Sequence, residues 1–316
     1  MATPQQVMFI PIEPKTEADR EKLAQALRKL MAEDPTFGMN SDVQTGQSIL
    51  RGVNELQLEM IVDRLNREFN IDVTIGDPQV AYKETVTRLA GGEGRYVRQT
   101  GSRDHYAHAK IRLVPGNTGS SYVFDSQSIG GVIPEEFIPS IDEGIKEALT
   151  RGVLTGYPVD DVRIELYDGS YHEVDSPEIA FKIAGAEAFK DSAKKANPVL
   201  LEPVMATEVV VPEECMGDVV GDLTSRRGRI ESMERRGTTQ AIKSRVPLSE
   251  LLGYAEDLRS LRQGRATCSM YFDRYEPVSG GPHSDNDDCV APVVVPRTPW
   301  PRSKDSGVAL PEPECE

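Results

Sequence analysis

The sequence predicts an α+β protein in which two ferredoxin-like β-α-β-β-α-β units flank a central α+β block. Three observations carry this. Alternating and helical-period apolar runs follow one another in the same order near both ends. The block between joins long extended stretches to two helical patterns. No stretch approaches the roughly 18 uncharged apolar residues of a membrane helix. At 316 residues, 38% hydrophobic and 28% charged, the chain is long enough for two or three separate cores.

In the first unit, Val7 to Glu13 alternates as a strand that sets Val7, Phe9 and Pro11 on one face. Thr16 offers an oxygen to cap a helix, with Glu17 and Asp19 suiting its positive start. Leu23, Ala26, Leu27, Leu30 and Met31 follow at helical spacing, and Pro35 ends the run. Phe37 to Val43 and Ser48 to Val53 read as a hairpin around Thr45-Gly46. Asn54 caps a second helix through Phe69, carrying Leu56, Leu58, Ile61, Val62 and Leu65. Ile71 to Ile75 closes the unit.

The central block is extended over Gln79 to Arg88, Arg95 to Val114 and Tyr122 to Asp125. Pro134 opens a helix containing Phe137, Ile141, Ile145 and Leu149. Val159 to Tyr167 alternates as a strand, and Ser176-Pro177 begins a helix that Asn197-Pro198 stops. The last unit repeats the plan of the first. Met205 to Val211 is a strand, Pro212 starts a helix to about Arg227, and Gly228 ends it. Two strands then meet at Gly237, a helix carries Leu251, Leu252, Ala255, Leu258 and Leu261, and Ala266 to Tyr275 is the final strand. The resulting division is 1–78, 79–201 and 202–276. Beyond it, 277–316 is rich in Pro, Gly and acids without either period, and reads as a disordered tail.

A formal charge of −15, from 36 Lys and Arg against 51 Asp and Glu, argues against a DNA-binding module. It leaves room for a factor that presents short basic or neutral tips to RNA. The start has no basic region followed by an apolar one, so it does not read as a secretory signal. Cys215, Cys268, Cys289 and Cys315 form no Cys-x-x-Cys pair, which fits a reduced cytoplasmic setting. There is no Gly-x-x-x-x-Gly-Lys-Ser/Thr loop, no Gly-x-Ser-x-Gly and no His-Glu-x-x-His. Gly91-Gly92-Glu93-Gly94 and Gly130-Gly131 read as turns. His105 and His108 point to opposite faces of an extended segment, against a metal pair. Tyr171-His172-Glu173 reads as a polar loop. The expectation is therefore no catalytic residue, no metal and no cofactor.

Ile12 to Leu27, Gly52 to Asn70 and Gly76 to Thr85 resemble the third domain of elongation factor G and its entry into the fourth. Gly130 to Ile145, Gly156 to Ala184 and Lys194 to Met205 resemble the fourth domain and its exit. Gly217 to Ile230 and Val246 to Ala266 resemble the fifth. The matches are collinear over about residues 7 to 276. The resemblance implies a ribosome-binding part of a translocase that moves tRNA and mRNA. It also implies a left-handed β-α-β crossover in the central domain. The family's GTPase and barrel domains, with their GTP and magnesium, have no counterpart in these residues, so a split translocase would take a separate GTPase chain as its partner. A split translocase, a recycling or protection factor, and a non-functional gene fragment are the alternatives. Neither membrane nor DNA is an expected partner.

By the same resemblance, two tip loops face the decoding region of the small subunit. One runs from Thr100 through Gly101, Ser102, Arg103, Asp104 and His105 to Tyr106; the other runs from Asp168 through Gly169, Ser170 and Tyr171 to His172. Small residues admit phosphate or sugar, Arg103 pairs with phosphate, and Tyr106 or His172 stacks on RNA. Arg226, Arg227 and Arg229 are expected at the sarcin–ricin region of the large subunit, with a solvated helix end as the competing account. The family pattern resembles Ser-Gly-Gly-Arg-Gly-Gln-Tyr-Gly-His, where this chain has Thr100 to His108. Asp104 brings a negative charge, and Ala107 gives up a glycine's freedom to adopt positive φ. Both departures put efficient translocation in doubt.

Overall fold

The computed structural model describes residues 5–16, 19–41, 48–100, 103–126, 133–172, 177–261 and 266–278. The expected Thr45-Gly46 turn, the Gly130-Gly131 turn and the tail from 279 onward lie outside these residues. In the first unit, β1 (Met8–Pro14), α1 (Asp19–Glu33), β2 (Gly38–Ser41), β3 (Ser48–Gly52), α2 (Glu55–Phe69) and β4 (Val73–Ile75) form an antiparallel sheet of order β2-β3-β1-β4 with its two helices. Asn54 caps α2 by accepting from the Gln57 amide at 3.0 Å, and Gln57 Oε1 accepts from Val53 N at 2.9 Å. Leu23, Leu27 and Leu30 of α1 meet Leu58 and Leu65 of α2 in one core, each contributing about 1.5–3 kcal/mol by leaving water. The buried face of β1 is Met8, Ile10 and Ile12, opposite the face of Phe9 and Pro11. Both alternating sets are apolar, so period alone could not choose between them.

The chain then crosses between sheets. β5 (Gln79–Val80) joins the first sheet beside β1, and β6 (Lys83–Val86) pairs with a strand of the last unit. The central sheet holds β7 (Ala90–Thr100), β8 (Arg103–Pro115), β9 (Tyr122–Ser126) and β10 (Val162–Ser170), in the order β7-β8-β10-β9. Among the described residues of this sheet only β9 and β10 pair in parallel, and α3 (Ile138–Arg151) lies between them in the chain. α4 (Glu178–Lys195) follows and packs against α3, β7 and β8.

The glycines of Gly91 to Gly94 are not a turn. They lie in β7, where a Cβ on Gly92 would sit 2.4 Å from Ala188 O and one on Gly94 2.0 Å from Ala184 O. The strand therefore needs glycine so that the small-residue face of α4 (Ala184, Ala188, Ser192) can lie directly on its backbone.

The last unit consists of β11 (Pro198–Pro212), α5 (Met216–Ser225), β12 (Arg229–Arg236), β13 (Thr239–Pro247), α6 (Tyr254–Leu261) and β14 (Thr267–Pro277). Its order, β12-β13-β11-β14, is that of the first sheet, so the same plan occurs twice. β11 also pairs with β6. At that junction the wholly buried carboxylate of Glu84 accepts from the amides of Val153, Leu154, Thr155, Gly156 and Tyr157 at 2.7–3.2 Å. Lys83 reaches Asp160 at 2.6 Å, and Tyr275 donates to Ala81 O at 2.9 Å. These contacts fasten the central sheet to the last one.

Candidate functional site

Two sequence patterns shape the distal end of the central sheet. On β8, Ala107, Ala109, Ile111 and Leu113 are buried on the helix side, so Tyr106, His108, Lys110 and Arg112 occupy the other face. On β10 a bulge between Leu166 and Asp168 restarts the alternation, and pairing with β8 continues to Ser170 opposite His108. Asp168, Gly169 and Ser170, expected in a loop, are therefore strand residues, and only Tyr171 and His172 lie past the strand end.

The outer face carries cross-strand ion pairs and is not a basic stripe. Lys110 Nζ meets Asp168 Oδ2 at 2.8 Å, Arg112 meets Glu165 at 3.2 Å, and Arg163 meets Asp125 at 3.3 Å. His108 Nε2 lies 3.6 Å from Glu93. The hydrogen bond that Lys110 donates holds the Asp168 carboxyl below its ordinary range and pushes the Lys110 ammonium up. Lys110, Arg112 and Arg163 are thus each matched by a carboxylate on a neighbouring strand.

The tip is a projecting hairpin with a second segment at its foot. β7 and β8 stay paired out to Thr100 opposite Arg103, while β10 stops at the level of His108. The hairpin thus overhangs β10 by residues 103–107 of β8, roughly 15 Å at strand rise. At its foot, Tyr171 and His172 are exposed. Tyr106 Oη lies 2.7 Å from Ser170 Oγ, and His108 Nδ1 lies 3.3 Å from the same oxygen. From β7, the Arg95 guanidinium sits 5.6 Å from the centre of the Tyr106 ring.

Of the expected tip residues, Gly101 and Ser102 lie outside the described residues. Arg103 and Asp104 are placed by backbone, at the end of β8 opposite Thr100 and Gln99. His105 pairs with Arg98. Gly169 packs inward: a Cβ there would come within 2.4 Å of Ile133 Cδ1 and 2.5 Å of His108 O. Its smallness serves packing, and backbone approach by RNA is not needed to explain it. Ala107 is buried opposite Tyr96 in regular strand, outside the positive-φ set, so it alters packing and not backbone freedom. Arg95 was not singled out from the sequence, and His108 was weighed only as half of a metal pair with His105, although alternation along β8 puts His108 on the Tyr106 face.

At the other proposed contact, the arginines have internal partners. Arg226 binds Asp222 at 3.2 Å, Asp257 at 3.1 Å and Glu250 O at 2.8 Å, and lies 4.9 Å over the Tyr254 ring. Arg227, at φ +59°, grips both Glu202 oxygens at 2.8 and 3.0 Å and Glu250 at 3.0 Å. These pairs replace the solvated-helix-end account, and a phosphate would have to displace them. Arg229 is largely exposed, 3.6 Å from Glu276.

Three family models match in order along the chain: Elongation Factor G, domain III, over residues 3–77; Elongation factor G, domain IV, over 78–197; and Elongation factor G C-terminus over 199–285. Among solved structures, a crystal structure of a protein from Thermus thermophilus is similar with a TM-score of 0.69 and 40% identity over 89% of this chain. The chain spans 42% of that protein's length.

Proposed function

The chain belongs to the elongation factor G family through its domain III, domain IV and C-terminal regions, and from that premise we propose that it is the ribosome-contacting part of a translocase. In this reading the tip of the central sheet enters the decoding region of the small subunit and accompanies tRNA and mRNA movement. Arg103, Tyr106, Tyr171 and His172 supply charge, stacking surface and hydrogen-bond donors to RNA. The last unit faces the sarcin–ricin region, with Arg229 the most open to phosphate of Arg226, Arg227 and Arg229. Its setting is the cytoplasm.

The observation that carries the reading is the convergence of two separate chain segments, 103–106 and 170–172, at one projecting end of a rigid sheet. An extended hairpin with a second segment at its base suits insertion into a narrow RNA cleft. A broad, charge-paired face does not.

No Gly-x-x-x-x-Gly-Lys-Ser/Thr loop occurs in these residues. GTP and magnesium chemistry, and the barrel that accompanies it in the family, are therefore assigned to sequence outside them. The test supplies a family GTPase-plus-barrel polypeptide to ribosomes holding tRNA and mRNA, with and without this chain, and follows mRNA movement. Stimulated movement that depends on this chain supports the proposal. Ribosome splitting without mRNA movement would favour a recycling factor, and no effect in either assay would contradict both.

A further inference from the structure

We infer that Ser170 is a positioning residue whose hydroxyl ties the two tip segments together. The inference rests on the reading of the tip as the ribosome-facing end. A serine hydroxyl offers one donor and two acceptor sites. Here Oγ is shared by Tyr106 Oη at 2.7 Å and His108 Nδ1 at 3.3 Å. Of the proton arrangements that fit a neutral imidazole, the Glu93 carboxylate beside Nε2 favours the one in which Tyr106 donates to Ser170 and Ser170 donates to His108 Nδ1. The imidazole proton then sits on Nε2, which faces Glu93 at 3.6 Å.

The location gives this relay its effect. Backbone pairing between β8 and β10 ends at Ser170 opposite His108, so no ladder bond from β10 reaches further up the hairpin. The hydroxyl of Ser170 extends the attachment two residues further, to Tyr106. Tyr106 is in turn held from β7 by Arg95 over its ring. A line of contacts, Arg95 to Tyr106 to Ser170, therefore crosses three strands on one face. It fixes where Tyr171 and His172 leave the sheet relative to the hairpin. Gly169 keeps that exit close, since it is pressed between Ile133 and the His108 carbonyl. Ser170 thus sets the separation of the two segments without itself needing to touch RNA.

The test compares the full chain with Ser170→Ala, Tyr106→Phe and Ser170→Thr, which retains the hydroxyl. Amide hydrogen exchange is read in peptides covering 97–108 and 169–172, beside ribosome affinity by co-sedimentation. Ser170→Ala and Tyr106→Phe are expected to raise exchange in both peptides about three- to tenfold, the size of one lost neutral hydrogen bond, and to weaken ribosome binding by a similar factor. Ser170→Thr should restore both. In histidine-labelled protein, the His108 15N shifts should report an acceptor Nδ1 in the wild type and change in Ser170→Ala. Exchange in Ser170→Ala equal to wild type would overturn the tie. Raised exchange with undiminished ribosome affinity would overturn its positioning role. If the wild-type chain fails to bind ribosomes, the functional reading falls, while exchange and shifts still decide the tie.

Discussion

Replacing Glu84 by glutamine keeps the shape of a buried side chain and removes the charge that organises the loop after α3. The two carboxylate oxygens divide their donors unequally. Oε1 accepts from Thr155 N, Thr155 Oγ1, Gly156 N and Tyr157 N, and Oε2 accepts from Val153 N and Leu154 N. Glutamine does least harm with its amide nitrogen at the Oε2 position, which still turns an NH2 group towards two backbone N–H groups. Each buried donor left without an acceptor costs about 1–3 kcal/mol, and the remaining bonds lose their charge assistance. The neutral side chain offsets part of this through its smaller desolvation penalty, so a loss of about 3 kcal/mol is expected. Denaturant unfolding followed by far-UV circular dichroism measures it, with the transition that includes the central sheet taken separately if the curve is not two-state. Because Glu84 also lies in the strand that pairs with β11, the variant should loosen the central sheet against the last one. A Glu84→Gln protein within about 0.5 kcal/mol of wild type would refute this account of the joint.

Arg227→Ala would leave Glu202, whose side chain is 4% exposed, without its bidentate partner, and is expected to destabilise by about 3 kcal/mol in chemical denaturation. Gly94→Ala would drive a methyl group into Ala184 O, so a loss of about 3 kcal/mol or more, at the top of the overpacking range, should appear in thermal unfolding. Glu55 accepts from Gly253 N at 3.0 Å, and burial first, then Glu59, Glu256 and Asp257, raise its carboxyl above the ordinary range. A raised folded-state value means its favourable contribution is complete below the unfolded value and is lost as pH rises through the folded one. Glu55→Gln should therefore be the more stable protein near pH 7, by at most about 0.5 kcal/mol after solvent screening, with the difference gone near pH 4. Melting temperatures at the two pH values check the sign.

Much of the fold was legible because local signals agreed with the tertiary ones. Asn54 caps the helix it was expected to cap, and Leu23, Ala26, Leu27 and Leu30 form the buried stripe their spacing predicted. The failures share a cause: the deciding partner is distant in sequence. Gly91 to Gly94 suggests a turn until α4, about ninety residues later, is laid on the strand. Asp168-Gly169-Ser170 has turn chemistry, yet a bulge and the register with His108 keep it in the sheet. The tip residues followed from resemblance, whereas the link from Tyr106 through Ser170 to His108 depends on strand register. The same limit hid the carboxylates that hold Arg226 and Arg227, since Glu202 and Asp257 reach them only through the fold.

As proposed above, the projecting tip binds ribosomal RNA or the RNAs moving beside it. Co-sedimentation of the full chain with ribosomes across a salt series, alongside Arg103→Ala, tests it most directly. Saturable binding is expected, its logarithm falling linearly with that of salt, with the slope reduced by about one in Arg103→Ala. Absence of saturable binding at low salt, or an Arg103→Ala protein with the wild-type slope and affinity, would contradict it.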